Sequence, residues 1–179
     1  AAADCDRCLS IIRSIFFHSA SVGAARSEAT TARNDSRRKR GQFMAPQDAA
    51  KIADKIKACG SDKYLVTERG VSFGYNNLVF DPRSPEIIHE MDIPFVFDGT
   101  HSTQLPGAGK ESGGDRRFAP VLMRAAVASG LEGIFMEVHP DPPSAWSDSS
   151  NQYYLDQAPE LLRGLYKIDR LVKTQIFAG

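Results

Sequence analysis

From residue 39 onward, short apolar runs alternate with longer amphipathic stretches along the chain. The apolar runs lie at 64–66, 93–97 and 133–136, and polar residues follow each run directly. Nearly continuous apolar runs are typical of parallel strands that are covered on both faces. Strands that alternate with helical patterns indicate repeated strand-helix units. The sequence therefore predicts an α/β fold with parallel strands.

Four amphipathic stretches predict the helices that connect these strands. The predicted helices span 47–59, 84–91, 117–130 and 158–173. Gly60 and Gly130 stand where the first and third helices are expected to end. Cys59, on the first helix, is expected to be a buried small apolar residue. The predicted buried face of the third helix consists of Phe118, Val121, Leu122, Ala125 and Ala126.

The number of units predicts part of a barrel. Four strand-helix units can be counted, whereas a complete barrel of eight units has about 250 residues. We therefore expect the last four units of a TIM barrel at 39–179. Residues 1–38 lack the strand-helix rhythm and are rich in Ala, Ser, Thr and Arg. We expect this first segment to be a separate, poorly ordered part of the chain.

Composition excludes several classes of protein. Lys plus Arg and Asp plus Glu are both 22, so no net charge draws the chain to nucleic acid or anionic membranes. The three cysteines argue against a disulfide framework and favour a reducing compartment, so we expect a cytoplasmic protein. No apolar run approaches the roughly 20 residues of a membrane-spanning helix. We expect no membrane partner.

The basic residues between Arg26 and Arg40 leave one alternative open. A non-catalytic protein with a basic tail at residues 1–40 would bind nucleic acid or another partner. The tail has no aromatic residue after Phe17, which weakens a single-strand-binding interpretation. Nucleic acid is therefore not the expected partner.

Three side chains at or just past predicted strand ends have the chemistry of metal ligands. They are His101, Glu137 and Asp148. One imidazole and two carboxylates suit a divalent first-row ion such as Mn, Fe or Zn. From spacing alone, simple hydrogen bonding within loops is the more common role for such residues.

Arg69 directly follows a buried strand, where its guanidinium can hold a phosphate or carboxylate with two hydrogen bonds. An ion pair with Glu68 or with another loop acid remains an open alternative. Lys39 is a candidate second anion ligand, although basic runs of this kind are more often solvated. His139 is able either to cap a loop or to assist chemistry.

Six short segments, taken together and in order, resemble the 3-deoxy-D-manno-octulosonate 8-phosphate synthase family, also called 2-dehydro-3-deoxyphosphooctonate aldolase. The segments are Lys39-Arg40-Gly41-Gln42-Phe43, Thr67-Glu68-Arg69-Gly70, Phe73-Gly74-Tyr75-Asn76-Asn77, Thr100-His101-Ser102, Ser112-Gly113-Gly114 and Glu137-Val138-His139-Pro140. The resemblance implies a carbon-carbon bond-forming transferase in lipopolysaccharide sugar biosynthesis. It implies phosphoenolpyruvate and D-arabinose 5-phosphate as substrates and a homotetramer of eight-stranded barrels.

The resemblance also implies roles for individual residues. It assigns catalysis and metal binding to His101, Glu137 and Asp148. It assigns substrate binding to Lys39, Arg69, Asn76 and His139, with Lys39 and Arg69 holding phosphoenolpyruvate. The family's fourth metal ligand is a cysteine in its first strand, and neither Cys5 nor Cys8 lies in a matching context.

A related synthase of the shikimate route joins phosphoenolpyruvate to erythrose 4-phosphate on the same barrel. It shares Glu68-Arg69-Gly70 and the stretch from Glu137 to Asp148, so these segments do not separate the two enzymes. Gln42-Phe43 and the segment 73–77 resemble the octulosonate enzyme, which we therefore favour.

The chain departs from the family before Lys39. The family's first four strands have no counterpart here, and our hypothesis is a reading-frame error or a mispredicted gene start upstream of residue 39. Half a barrel has two open sheet edges, so we expect the chain to aggregate or to pair with another copy. We expect little or no synthase activity from it alone.

Overall fold

The computed structural model describes residues 36–107 and 113–176. In chain order the strands and α-helices are β1 (Ser36–Lys39), α1 (Ala49–Ala58), β2 (Tyr64–Glu68), β3 (Val71–Ser72), β4 (Leu78–Val79), α2 (Ser84–His89), β5 (Phe95–Asp98), β6 (Gln104–Leu105), β7 (Gly113–Gly114), α3 (Ala119–Ala128), β8 (Gly133–Phe135), β9 (Val138–His139), β10 (Tyr153–Tyr154) and α4 (Ala158–Leu171). A five-residue π-helical stretch, Val172–Ile176, follows α4.

The central sheet has four strands in the order β1-β2-β5-β8. All three neighbouring pairs are parallel, so the predicted α/β fold with parallel strands is confirmed. The burial of β5 on every residue matches its apolar sequence. Within the described ranges the sheet is open, with β1 and β8 at its edges.

Each of the four strands is followed by a helix, in agreement with the predicted strand-helix units. Because the spatial order of the strands follows the chain and such crossovers are right-handed, the connecting helices pack on the same face of the sheet. The core between helices and sheet contains Val66, Ile88, Phe95, Phe97 and Met123. Three short two-stranded ladders, β3-β4, β6-β7 and β9-β10, lie outside the central sheet.

The first helix buries one face against the core, but Cys59 does not belong to it. Ala49, Ala53 and Ile56 are buried, and Gly60 follows the helix with φ of 82°. Cys59 is exposed, so the prediction that it is buried was wrong. The helix ends at Ala58, and the residue beyond that end no longer follows the helical repeat that directs side chains to the sheet.

The third helix is rotated relative to the sequence prediction. Its buried residues are Ala119, Met123, Ala126 and Val127, whereas Phe118 and Val121 are 54% and 47% exposed. Met123 packs directly against Gly99, where an added Cβ would lie 2.6 Å from its side chain. This close approach to a glycine fixes the buried face on Met123. The many apolar residues of the helix left its phase ambiguous in the sequence.

The last helix buries one apolar stripe, which continues into the π-helical stretch. Leu165 and Val172 are buried, and Leu161 and Ile168 pack against the same core.

Strand β1 begins at Ser36, so it crosses the boundary that the sequence places between residues 38 and 39. The boundary itself stays a prediction. Cys5, Cys8 and most of the basic tail lie outside the described residues. Among the helices that the structure describes, none combines the length and the apolar character that a bilayer requires.

Candidate metal and anion site

The site is built where the parallel strands end. Glu68 is the last residue of β2 and Arg69 follows it, Asp98 is the last residue of β5, and Glu137 lies two residues past the end of β8. Because carboxyl ends of parallel strands meet at the same edge, polar side chains from different strands converge there. This edge is also where active sites of strand-helix barrels lie.

His101, Glu137 and Asp148 come together at this edge. One potential ligand atom from each residue lies within 4.8 Å of the other two, and His101 Nε2 is 3.8 Å from Glu137 Oε1. All three residues are partly buried. An imidazole nitrogen and two carboxylate oxygens at this spacing fit around one divalent first-row ion. The residues predicted as metal ligands are therefore adjacent in the fold.

The local backbone holds each of these three residues in place. His101 opens a 3₁₀-helical turn after β5. The backbone N–H of Glu137 donates to Thr100 Oγ1 at 2.7 Å. Asp148 has a φ of 49°, and its carbonyl accepts from the N–H groups of Asn151 and Gln152 at 2.8 and 2.9 Å. A left-handed conformation costs energy for a non-glycine residue, so these hydrogen bonds help to hold Asp148 in it.

Lys39 and Asp98 lie directly behind His101. Lys39 Nζ is 2.7 Å from Asp98 Oδ2 and 3.2 Å from His101 Nδ1. The ammonium group also lies 4.8 Å from the centre of the Phe135 ring. The positive charge of Lys39 is therefore held beside the metal-ligand group and half open to solvent, with 42% of its side chain exposed.

Arg69 points toward the same group. Its Nη2 donates to Gln104 Oε1 and lies 3.5 Å from the carbonyl of His101. The ion pair with Glu68 that the sequence left open does not form, because Glu68 is paired with the buried Arg40. Within the described part of the chain, the buried Nε of Arg69 has no hydrogen-bond partner. Arg69 thus has donor capacity left for a ligand.

The charges of the site perturb two carboxyl groups in opposite directions. Burial raises the pKa of Glu137, and the nearby Asp148 and Asp98 add to this effect against the opposing charges of His101 and Lys39. Burial would also raise the pKa of Asp98, but the hydrogen bond and charge of His101 together with Lys39 leave it below its usual value. Burial lowers the pKa of the Arg69 guanidinium, which remains charged because arginine does not deprotonate in proteins.

His139 and Asn76 are placed differently. His139 is buried at the end of β9, and its Nδ1 accepts from the backbone N–H of Asp141 at 3.0 Å. Asn76 lies on the exposed turn between β3 and β4 with a φ of 54°. Its side-chain oxygen is 3.2 Å from where a Cβ on Gly107 would stand. Neither contact joins these residues to the metal-ligand group.

Two residues of this site were not singled out from the sequence. Asp98 is fully buried and bonds both His101 and Lys39, and Gln104 bonds both Arg69 and Asp148. Asp98 had a signal, since it is an acidic residue directly after the apolar run 95–97. Gln104 had none, because its two partners lie 35 and 44 residues away in the chain.

Comparison with known proteins gives consistent matches. A family model described as the DAHP synthetase I family matches residues 24–174. The 2-dehydro-3-deoxyphosphooctonate aldolase of Acidithiobacillus ferrooxidans (strain ATCC 53993 / BNL-5-31) is 54% identical over 140 residues, which cover 78% of this chain and 50% of the relative. The protein of that name from Xanthomonas campestris pv. campestris (strain B100) is 52% identical over 141 residues, covering 78% of this chain and 51% of the relative.

These names confirm the resemblance drawn from the six sequence segments. The chain spans about half the length of the curated relatives it matches.

Proposed function

Since the chain belongs to the DAHP synthetase I family, we propose that it carries the second half of an enzyme that condenses phosphoenolpyruvate with D-arabinose 5-phosphate. The products are 3-deoxy-D-manno-octulosonate 8-phosphate and phosphate. The observation that carries this proposal is the shared name of the two relatives at 54% and 52% identity. That name does not favour the shikimate-route synthase, which uses erythrose 4-phosphate.

The proposal includes a larger fold. Residues 39–179 would supply the last four strand-helix units of an eight-stranded barrel, and the barrels would assemble as a homotetramer. Four parallel strands in chain order support the barrel. Among the described residues β1 and β8 each pair with only one strand of this sheet, and further strands would pair with their open edges.

Arg69 and Lys39 are proposed to hold the anionic groups of phosphoenolpyruvate. The guanidinium of Arg69 has a fork of donors that matches a phosphate or carboxylate, and its unpartnered buried Nε supports this role. The ammonium of Lys39 lies 3.2 Å from His101 Nδ1. Together they would place the enol carbon next to the metal-ligand group while neutralising the charge of the substrate.

The proposed reaction forms one carbon-carbon bond and one carbon-oxygen bond to water, and it breaks the carbon-oxygen bond to phosphate. The enol carbon attacks the sugar aldehyde, water adds to the resulting cationic carbon, and phosphate then leaves. Negative charge develops on the aldehyde oxygen, and fixed cations close to that oxygen lower the barrier. Lys39 is the described cation nearest to His101 and would contribute to this stabilisation.

A divalent Mn, Fe or Zn ion is proposed to be held by His101 Nε2 and by carboxylate oxygens of Glu137 and Asp148. The donor set and the separation of at most 4.8 Å between ligand atoms support this assignment. When bound, such an ion acts as a Lewis acid on the aldehyde oxygen. The family resemblance implies a cysteine as fourth ligand, and none of the described residues is assigned to it.

His139 and Asn76 are proposed to contact substrate. The family resemblance supports this role for His139, whose Nδ1 accepts a backbone hydrogen bond at the end of β9. Asn76 is exposed at the rim, where a sugar hydroxyl or phosphate is accessible to it.

A chimeric enzyme tests the proposal. The segment of the Acidithiobacillus relative that precedes the matched region would be joined to residues 39–179 of this chain. Phosphate release would be measured with phosphoenolpyruvate and either arabinose 5-phosphate or erythrose 4-phosphate. We expect turnover with arabinose 5-phosphate and at least tenfold less with erythrose 4-phosphate.

The matched control is the same chimera with Arg69→Met, which we expect to bind phosphoenolpyruvate at least tenfold more weakly because a charge-assisted bidentate contact is lost. Preferential use of erythrose 4-phosphate would reassign the chain to the shikimate-route enzyme. A folded chimera that uses neither sugar would refute the synthase proposal.

A further inference from the structure

One buried carboxylate connects the metal-ligand group with the candidate anion ligand. Asp98 is 0% exposed and accepts hydrogen bonds from two side chains, His101 Nδ1 at 2.8 Å and Lys39 Nζ at 2.7 Å. It also accepts from the backbone N–H groups of Thr100 at 3.1 Å and His101 at 2.9 Å. Four donors therefore converge on one side chain.

We propose that Asp98 is a positioning residue that fixes the tautomer of His101 and so presents the unprotonated Nε2 of His101 to the metal. The inference rests on the proposed metal site, and it goes further by assigning a role to a residue that does not touch the metal or the substrate. Carboxylates commonly act in this way on the far nitrogen of a metal-binding histidine.

The contacts of His101 Nδ1 determine which nitrogen carries the proton. Both oxygens of Asp98 lie close to Nδ1, at 2.8 and 3.0 Å. An ionised carboxylate only accepts, so a lone pair on Nδ1 would face two acceptor oxygens. The ammonium of Lys39 is a donor near the same nitrogen, but at 3.2 Å it is farther away than either oxygen. Nδ1 therefore carries a hydrogen and donates it to Asp98. In the neutral ring this leaves the lone pair on Nε2, which is the nitrogen 3.8 Å from Glu137.

Lys39 shares this arrangement. Its Nζ is 3.2 Å from His101 Nδ1, so two donors lie next to each other and both point at Asp98. Without a carboxylate between them, they would repel. Asp98 thus holds Lys39 and His101 at a fixed separation and couples the placement of the anion ligand to that of the metal ligand.

A purely structural role is the competing explanation, because Asp98 also accepts the two backbone N–H groups that start the turn after β5. The test therefore needs a measurement that reports on the imidazole itself. The nitrogen chemical shifts of the histidine side chains distinguish the two tautomers. His101→Gln identifies the His101 signals among those of the four histidines.

Asp98→Asn is the informative substitution. The asparagine has one oxygen, which the two backbone N–H groups require, and its NH₂ group then faces Nδ1 as a donor. We expect the proton of His101 to move to Nε2, as occurs when the equivalent aspartate of a serine protease triad is replaced by asparagine. With Nε2 protonated, we expect the affinity for Mn²⁺ in a calorimetric titration to fall 10- to 100-fold.

Asp81→Asn is the matched control, since Asp81 pairs with Arg83 on the surface. It should leave both the His101 signals and the Mn²⁺ affinity unchanged. A lone pair on Nδ1 in the unsubstituted metal-free chain would overturn the inference. So would a folded Asp98→Asn protein with the original tautomer or with undiminished Mn²⁺ affinity.

If Asp98→Asn does not fold, a second variant tests whether Asp98 fixes the tautomer of His101. Lys39→Met removes the neighbouring donor from a half-exposed side chain and leaves the contact between Asp98 and His101. A proton on Nδ1 in both this variant and the unsubstituted chain supports the inference, and its loss in either contradicts it. Failure of the unsubstituted chain to bind Mn²⁺ would refute the proposed metal site. It would also refute the role of Asp98 in presenting Nε2 of His101 to the metal. The tautomer measurement would still report whether Asp98 orients His101.

Discussion

Gln104 donates a hydrogen bond of 2.6 Å from its side-chain amide to the carboxylate of Asp148. Its side-chain oxygen accepts from Arg69. The orientation of the amide is fixed, because a carboxylate only accepts and a guanidinium only donates. A single glutamine therefore connects Arg69, which is proposed to bind phosphoenolpyruvate, with Asp148, which is proposed to bind the metal.

Replacing Gln104 should weaken both sites. In Gln104→Leu the carboxylate of Asp148 loses its donor and Arg69 loses an acceptor, so we expect Mn²⁺ affinity to fall about tenfold and phosphoenolpyruvate affinity to fall as well. Calorimetric titration of the chain with each ligand measures both effects. Gln47→Leu, at an exposed position, is the control. Full Mn²⁺ affinity in Gln104→Leu would show that this bridge does not support Asp148.

The sequence predicted the elements of the fold better than their orientation. The apolar runs marked the parallel strands because buried strands have few polar residues. The face predicted for the third helix was partly wrong, since Ala126 is buried but Phe118 and Val121 are exposed. Apolar residues surround much of this helix, and the contact of Met123 with Gly99 helps to select one side. That contact joins two segments of the chain, and no local pattern records it.

The site was predictable to a similar degree. His101 and Glu137 lie two or three residues past strand ends, so their convergence could be expected from the geometry of a parallel sheet. Asp148 lies on a loop, and its assignment came from the family resemblance rather than from any periodicity. Asp98 and Gln104 act through other side chains, and such roles depend on contacts that appear only in the folded chain.

The buried pair of Arg40 and Glu68 gives a prediction about stability. Arg40 is 2% exposed and Glu68 is 2% exposed, and Glu68 also accepts from the N–H of Gly70 at 2.5 Å. Glu68→Ala leaves the guanidinium buried without its counter-charge, which should lower the free energy of unfolding by about 3–5 kcal/mol. Urea denaturation followed by circular dichroism measures the change.

Two further variants test whether the unpaired buried charge of Arg40 causes the loss of stability. The double substitution Arg40→Met with Glu68→Leu removes both charges, so it should be markedly less destabilising than Glu68→Ala. Lys51→Ala breaks an ion pair with Asp48 that is open to solvent, and we expect no resolved change. Equal losses in the single and double variants would mean that the unpaired charge is not the cause.

Gly114 allows a close contact that any side chain would prevent. A Cβ at this position would lie 1.4 Å from Oδ1 of the fully buried Asn151. Gly114→Ala should therefore lower the free energy of unfolding by about 1–3 kcal/mol, the usual cost of overpacking. Gly164→Ala is the control, because Gly164 lies in α4 with no atom within 4 Å of an added Cβ. That variant should gain about 0.5–1 kcal/mol, and a loss comparable to that of Gly114→Ala would contradict the steric explanation.

Metal binding should stabilise the chain through His101, Glu137 and Asp148. A ligand that binds only the folded state adds about 2.7 kcal/mol at a free concentration of 100 times its Kd, so Mn²⁺ should raise the melting temperature and a chelator should reverse the increase. Asp148→Asn removes one anionic ligand and should abolish most of the increase. Asp141→Asn, a nearby acidic residue outside the group of metal ligands, should keep it. Since Asp148 is one of the proposed ligands, an increase of equal size in Asp148→Asn would place the ion elsewhere on the protein.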